Sequence, residues 1–206
     1  MFAVTAELNA NPFPGGFNAH APLVNVQLDE ATPGTALAAS YGMQLVALGG
    51  DVTVDFLGPT TAIDTDLVFL SSPANGSGTF FPNHSTFNGT TVDLGSFAAG
   101  TVLEFGVTNM VHGDDLYSGS GSLNLDGQVH AYTQNDWQGY TNITYVAFED
   151  LLASQASDWN YQDEAFAVQG AIAETPNTAV PEISSTASLL GFSLFGLLNL
   201  RRWLKK

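Results

Sequence analysis

The positively charged side chains of this chain are all gathered at its C-terminal end. Its four Lys and Arg residues lie within residues 201–206, directly after the uncharged residues 183–200. Eighteen residues at about 1.5 Å each form a helix of about 27 Å, close to the thickness of the hydrocarbon core of a bilayer. An apolar stretch of this length with a basic cluster on one side predicts a membrane anchor whose C-terminus faces the cytoplasm. The alternative is an amphipathic helix docked on the rest of the chain, but residues 193–198 offer little of a polar face.

The second half of this stretch is the more apolar one, because Ser and Thr are concentrated in the first half. Long apolar side chains define a membrane span, and basic residues hold its cytoplasmic end. We therefore predict an anchor formed by Leu189, Leu190, Phe192, Leu194, Phe195, Leu197 and Leu198 and closed by Arg201 and Arg202.

The tail has three parts in a fixed order: a Pro-Glu motif, an apolar segment and a basic end. Val180, Pro181 and Glu182 form the motif, and residues 189–198 form the apolar segment. In this order the tail resembles the PEP-CTERM sorting signal of bacterial proteins that an exosortase processes, although Ile183 replaces the usual second proline. The resemblance covers about an eighth of the chain. It implies export, a transient anchor in the inner membrane, cleavage near Pro181-Glu182, and delivery to the cell surface or the extracellular matrix.

The N-terminal residues do not carry the signal that such export needs. A secretory signal begins with basic residues and continues into an apolar run, and residues 1–7 contain neither. We therefore expect the true start of the protein to lie upstream, and the alternative is that this chain is not exported.

The body of the chain is strongly acidic. The sequence has 20 Asp and Glu against 4 Lys and Arg, a net charge of −16, and no basic residue before Arg201. Such a surface repels nucleic acids and attracts divalent cations, so nucleic-acid binding is excluded. The absence of cysteine excludes a disulfide framework and thiolate metal sites. A hydrophobic content of 45% with 11% aromatic residues indicates a folded domain rather than an acidic disordered chain.

Many short apolar alternations separated by Gly and Asn turns predict a mainly β fold. We expect an antiparallel β-sandwich, jelly-roll or Ig-like, in residues 1–173, a linker in 174–180, and one C-terminal hydrophobic helix in the tail of residues 181–206. Residues 44–48 and 52–57 flank Gly49-Gly50-Asp51 as a hairpin would. Residues 101–108 are expected to form one strand. Residues 142–149 are apolar on both sides and should form an internal strand.

The densest acidic stretch lies between the strands expected at residues 142–149 and 165–171. Carboxylates crowded in one loop repel one another, and Ca²⁺ binds carboxylate, amide and backbone oxygens. The loop lacks the Gly and the closing Glu of an EF-hand. We therefore predict a different kind of Ca²⁺ site, formed by Glu149, Asp150, Asp158, Asn160, Asp163 and Glu164. The alternative is that these acids are solvated and that Trp159, Tyr161 and Phe166 anchor the loop in the core.

The segments Phe148-Glu149-Asp150 and 157–163 carry a second resemblance. They are similar to a domain of unknown function, DUF4114, which is common in PEP-CTERM and other secreted bacterial proteins. Residues 113–132, with Asp126-Gly127 and His130, resemble the preceding part of the same domain. Asn160 and Gln162 stand where that pattern usually has Asp and Asn. Both keep oxygen donors, but Asn160 removes one charge and so lowers the expected Ca²⁺ affinity.

Two other classes of function compete with a calcium-loaded structural protein. Asp150 with Asp158 or Asp163 could act as the two carboxyl groups of a glycosidase, but the chain lacks the motifs of other hydrolases. A carbohydrate-binding module is the stronger alternative, with Trp137 and Tyr140 as the aromatic platform and Trp159 as a further candidate. His112 beside two acidic residues is a further candidate metal ligand, although a loop histidine is the simpler interpretation.

These observations together predict a non-enzymatic, exported component of the cell surface or of an exopolysaccharide-rich, biofilm-associated extracellular matrix. The exosortase and the inner membrane are its expected transient partners. An extracellular polysaccharide is a further candidate partner.

Overall fold

The computed structural model describes residues 13–23, 41–59, 65–69 and 78–175. The chain divides into two compact units, Met1–Pro176 and Asn177–Lys206. The second unit lies outside the described residues, and with it the predicted sorting motif, anchor and C-terminal helix. Among the described residues, no helix has the length and hydropathy that crossing a bilayer would require.

The described residues form a mainly β structure with short strands and three 3-10 helices of three residues each. The 3-10 helices are Gly121–Leu123, Trp137–Gly139 and Ala153–Gln155. The strands are β1 (Gln44–Ala47), β2 (Gly50–Gly58), β3 (Thr65–Phe69), β4 (Gly78–Pro82), β5 (Thr91–Phe97), β6 (Val102–Leu103), β7 (Phe105–Asn109), β8 (Asp114–Tyr117), β9 (Ala131–Gln134), β10 (Ile143–Phe148), β11 (Glu164–Gln169) and β12 (Ala171–Glu174).

The strands pair into three sheets, and every pairing is antiparallel, which confirms the predicted fold class at this level. A five-stranded sheet has the order β5-β2-β11-β10-β9, a four-stranded sheet the order β4-β3-β7-β8, and a three-stranded sheet the order β12-β1-β6. Strand β10 pairs with β9 on one side and β11 on the other. The prediction that this segment forms an internal strand is therefore confirmed.

The main core gathers apolar side chains from all three sheets. In β2 the alternate residues Val52, Val54 and Phe56 point into it, as the period of two in a strand requires. Phe105 of the four-stranded sheet lies 5.3 Å from Phe166 of the five-stranded sheet, measured between ring centroids. Burial of such rings supplies most of the stability of a domain of this size.

The other face of the five-stranded sheet, which we call the outer face, is also covered. It carries Tyr145 and Ala167 and is packed by residues 13–23, with Phe13 and Phe17 in mutual contact. Strands β10 and β11 are therefore buried on both sides. This explains why their sequences are apolar at nearly every position rather than at alternate ones.

The expected hairpin of residues 44–48 and 52–57 is wrong. Strand β1 pairs with β12 and β6, whereas β2 pairs with β11 and β5 in another sheet. Gly49 and Gly50, both with φ near +100°, carry the chain from one sheet to the other instead of folding it back. The single strand expected at residues 101–108 is likewise divided into β6 and β7, which lie in different sheets.

One residue, Gly170, joins β11 of the five-stranded sheet to β12 of the three-stranded sheet. Its φ is +85°, a conformation that side chains with a Cβ rarely adopt. Its N–H donates to the carbonyl of Asn142, and its carbonyl accepts the N–H of Leu48, both at 2.9 Å. A Cβ added here would collide with the carbonyl oxygen of Asp51. The crossover thus requires glycine for both conformation and space.

We expect Gly170→Ala to lower the free energy of unfolding by about 2 to 4 kcal/mol, because strain at positive φ adds to the clash. Gly113→Ala is the matched control, since Gly113 has φ +77° but open space around the added Cβ. It should cost about 1 kcal/mol from strain alone. Urea denaturation followed by tryptophan fluorescence measures both. Equal losses in the two variants would contradict the close packing at Gly170.

Candidate functional site

The candidate site lies where strands β10 and β11 end and the loop of residues 149–163 connects them. In the antiparallel pairing Phe148 faces Glu164, so the residues just beyond the strands are also brought together. The N–H of Asp163 donates to the carbonyl of Phe148, and the N–H of Asp150 donates to Oδ2 of Asp163, both at 3.0 Å. These bonds hold both ends of the loop at the edge of the sheet.

Three carboxylates converge at this point. Glu149 and Asp150 are each 1% exposed, and Asp163 is 7% exposed. One ligand oxygen from each lies within 4.8 Å of the others. No other group of three acidic or histidine side chains in the described part of the chain comes this close together.

Burial sets the protonation of these acids. It is the main cause that raises the pKa of Glu149, and the charges of Asp158 and Asp150 add to it against a hydrogen bond from Ser157. Burial also raises the pKa of Asp163, together with the charges of Glu149 and Asp150. Without a cation, the cluster therefore holds protons at pH values where ordinary carboxyl groups are ionised.

The described residues supply no positive charge to this cluster. Every Lys and Arg lies within residues 201–206. The nearby His130 contacts the backbone carbonyl oxygen of Glu149 through Nδ1, at 3.2 Å. Its pKa is lowered because burial outweighs the effect of its neighbours Asp126 and Glu149, so the ring is neutral at neutral pH. Oε2 of Glu149 accepts no hydrogen bond of ordinary geometry from the described residues.

A second acidic residue supports the loop from outside the cluster. Asp126 accepts the backbone N–H groups of Ala153, at 2.9 Å, and of Gln128, at 3.0 Å, and contacts Nε2 of His130 at 3.2 Å. Burial raises its pKa, but these hydrogen bonds and the histidine outweigh burial and lower it. The sequence did not identify this pair as part of the site. In the sequence the pair is marked only by an acidic turn residue four positions before a histidine, which is a weak signal.

Two aromatic residues fix the middle of the loop. Trp159 and Tyr161 are almost fully buried, and both have left-handed backbone conformations, with φ of 55° and 53°. The Tyr161 hydroxyl donates to the carbonyl of Val129 at 2.7 Å, and the Trp159 ring lies 5.4 Å from that of His130. The loop is thus held in one strained conformation by its own side chains. These residues anchor the loop as the alternative interpretation expected, but Glu149, Asp150 and Asp163 are buried rather than solvated, whereas Asp158 is exposed.

The structure brings together three of the six predicted calcium ligands, Glu149, Asp150 and Asp163. Asp158 is exposed and accepts a hydrogen bond from the amide of Asn160 at 2.8 Å. Glu164 is fully buried within β11, in register with Phe148.

The other predicted site residues lie elsewhere. Trp137 is 9% exposed and packs on Tyr145 with ring centroids 4.5 Å apart, so sugar stacking on it would require the ring to be uncovered. Tyr140 is half-buried, and its hydroxyl donates to the carbonyl of Gly15 at 3.4 Å. His112 lies in an exposed turn, and its backbone N–H donates to the side-chain oxygen of Asn109.

No protein-family model matches the chain, and neither the curated proteins nor the solved structures include a match. The resemblances of the tail and of the acidic loop therefore stay predictions.

Proposed function

We propose that the loop of residues 149–163 binds one Ca²⁺ ion through the carboxylates of Glu149, Asp150 and Asp163. The observation that carries this proposal is the burial of three converging carboxylates in a body without Lys or Arg. Buried charges in proteins are paired with opposite charge or coordinate metals, since an isolated one costs many kcal/mol. Here the available partner is a proton or a metal cation. A proton neutralises one carboxylate, whereas a single metal ion can bind all three carboxylates at once.

The chemistry of the cluster favours Ca²⁺ over Mg²⁺. Mg²⁺ requires octahedral geometry and usually keeps several of its water molecules. A site of three buried carboxylates has little access to solvent and would have to displace those water molecules. Ca²⁺ accepts six to eight oxygen ligands in variable geometry and loses water more easily. The remaining ligands would come from loop carbonyls, water, or Asp158 after a change of rotamer.

The wider role that we propose is structural and extracellular. The acidic body would be stabilised by Ca²⁺ outside the cell, after delivery by the exosortase-type tail, and would act as a component of the surface or matrix. Contacts such as Phe105 with Phe166 support an assignment of the described sheets to a β-sandwich, of jelly-roll or Ig-like type. A carbohydrate-binding module remains the alternative. An enzyme is disfavoured because Asp150 and Asp163 are buried away from any substrate, which leaves Asp158 as the exposed member of the candidate carboxyl pairs.

Isothermal titration calorimetry tests the site directly. We expect wild type to bind one Ca²⁺ with a Kd of about 1 mM or below, as in extracellular calcium modules, and to bind Mg²⁺ more weakly. Glu149→Gln should weaken Ca²⁺ binding by about 100-fold, because it removes one ligand charge from the cluster. Asp93→Asn, the corresponding loss of charge at an exposed site, should leave the affinity unchanged.

Terbium luminescence locates the ion. Tb³⁺ resembles Ca²⁺ in its preference for oxygen ligands, and Trp159 lies in the same loop as the carboxylates. Excitation of tryptophan should therefore sensitise Tb³⁺ emission that added Ca²⁺ quenches. Absence of both calorimetric heat and sensitised emission in wild type would rule out the proposed site.

A further inference from the structure

A separate set of polar side chains lies on the outer face of the five-stranded sheet, between β2 and β11. In the antiparallel register Thr53 stands directly opposite Gln169, and Asp55 stands opposite Ala167. Alternation along each strand puts all of them on the face that carries Leu57 and Ala167, away from the main core. This patch does not include any of the proposed calcium ligands.

Three polar atoms of this patch are buried without a hydrogen-bond partner among the described residues. Asp55 is 0% exposed, and neither of its carboxyl oxygens has a hydrogen-bond partner among the described residues. The same holds for the buried side-chain carbonyl oxygen of Gln169. Buried polar atoms in folded proteins almost always have partners, so three unsatisfied oxygens in one patch need an explanation.

We propose that Thr53 and Gln169 become joined by an intramolecular ester bond between Oγ1 of Thr53 and Cδ of Gln169, with Asp55 transferring the proton. The residue types fit this chemistry, since a hydroxyl is the nucleophile, a primary amide is the acyl donor, and a carboxyl group is the acid and base. An amide bond to a lysine side chain is not available within residues 1–200, because they contain no lysine.

The reaction balances without any oxidant or co-reactant. Asp55 in its ionised form takes the hydroxyl proton as Thr53 Oγ1 forms a C–O bond to Gln169 Cδ. The resulting Asp55 acid returns the proton to the amide nitrogen, the C–N bond breaks, and ammonia leaves. Dilution and protonation of ammonia in the solvent oppose the reverse reaction. Burial raises the pKa of Asp55 to about 7, so both of its forms are populated near neutral pH.

The geometry of the sheet supplies the proximity. Directly opposed residues of an antiparallel pair have Cβ atoms about 4.5 to 5.5 Å apart, which a threonine and a glutamine side chain together can span. Thr53 is 7% exposed, so bulk water has little access to compete with its hydroxyl or to hydrolyse the product. Gln169 is half-buried, which leaves a route by which ammonia can reach solvent.

Mass spectrometry of the folded full chain tests the proposal. We expect the intact mass to be lower than the sequence mass by one ammonia, and protease digestion to yield a peptide from β2 covalently joined to one from β11. A succinimide at Asn88-Gly89 would give the same intact mass but no joined peptides, and that outcome would overturn the proposal. Full sequence mass after prolonged incubation of the folded protein near neutral pH would overturn it equally.

Substitutions identify the reacting groups. Thr53→Val keeps the shape of the side chain but removes the hydroxyl, so this variant should lose no ammonia and should have the full mass of its sequence. Thr53→Ser keeps a hydroxyl and should still lose ammonia. Asp55→Asn should slow the loss of ammonia in freshly folded protein by at least tenfold, because the proton carrier is gone. Thr91→Val is the matched control, since Thr91 lies opposite Asp55 on β5 but faces no glutamine. Loss of ammonia that persists in Thr53→Val would contradict the assignment.

Discussion

Asp163→Asn should weaken Ca²⁺ binding strongly and, at the same time, make the metal-free protein more stable at pH 8. The substitution removes one ligand charge, so we expect the affinity to fall by about 100-fold or more. In the metal-free protein it also removes a buried carboxyl whose ionisation is opposed by burial and by Glu149 and Asp150. The gain in the free energy of unfolding should be about 2 kcal/mol. An asparagine can still accept the N–H of Asp150.

The opposite signs of these two effects distinguish a metal site from an ordinary buried hydrogen-bonded acid. Urea denaturation with EGTA and with Ca²⁺ measures both in one experiment. Asp158→Asn is the matched control, because it makes the same chemical change at an exposed position of the same loop. It should alter the metal-free stability by less than about 0.5 kcal/mol. A destabilised Asp163→Asn variant that still responds to Ca²⁺ would refute the proposed role.

The stability of the metal-free protein should decline as the pH rises from about 5 to 9. Glu149, Asp163 and Asp55 all have pKa values raised by burial, so the folded chain holds protons that the unfolded chain has released. Their contribution is complete below about pH 4 and is lost as the pH rises through the raised pKa values. Each proton held in this way changes the free energy of unfolding by about 1.4 kcal/mol per pH unit.

Two groups act in the opposite direction at lower pH. Asp126 and His130 have lowered pKa values, so their contributions are lost as the pH falls through the ordinary carboxyl and histidine ranges. The full profile should therefore have a maximum at about pH 5 to 6.

Added Ca²⁺ distinguishes the acidic residues that contribute to the loss of stability at high pH. Saturating Ca²⁺ should remove the part that belongs to Glu149 and Asp163, because the bound ion replaces their protons. The part that belongs to Asp55, centred near its pKa of about 7, should remain. Asp55→Asn should remove that remainder, and denaturation midpoints across the pH range measure all of these changes. A metal-free profile that rises steadily to pH 9 would show that the buried acids are not protonated as described.

The fold was predictable where neighbouring residues determine it and not where distant strands do. The apolar alternation of β2 and the two-sided burial of β10 could be inferred from sequence, because both are properties of a single strand. The partners of β1 could not, since it joins β12 and β6 across more than fifty residues. Strand β8 was missed because it begins with two aspartates and buries only Leu116 fully.

The site was predictable in the same limited way. Glu149, Asp150 and Asp163 flank adjacent antiparallel strands, so their convergence follows once those strands are recognised. Their depth does not, because it depends on Trp159 and Tyr161, whose positive φ angles close the loop over the sheet edge. The support from Asp126 comes from a different part of the chain, and the local pattern there, an acidic turn residue before a histidine, is too weak to predict its hydrogen bond to the loop.

The crossover at Gly170 also determines how the body would respond to a pulling force applied from its C-terminal side. Such a force reaches β12 first, an edge strand joined to β1 by the register pairs from Gln44↔Glu174 to Ala47↔Ala171, which can unzip one after another. Beyond Gly170 it reaches β11, which is flanked by β10 on one side and, from Ala165 onward, by β2 on the other, and so cannot be peeled from an edge. Strand β12 would therefore separate at low force, whereas β11 would resist a higher force and keep the five-stranded sheet intact.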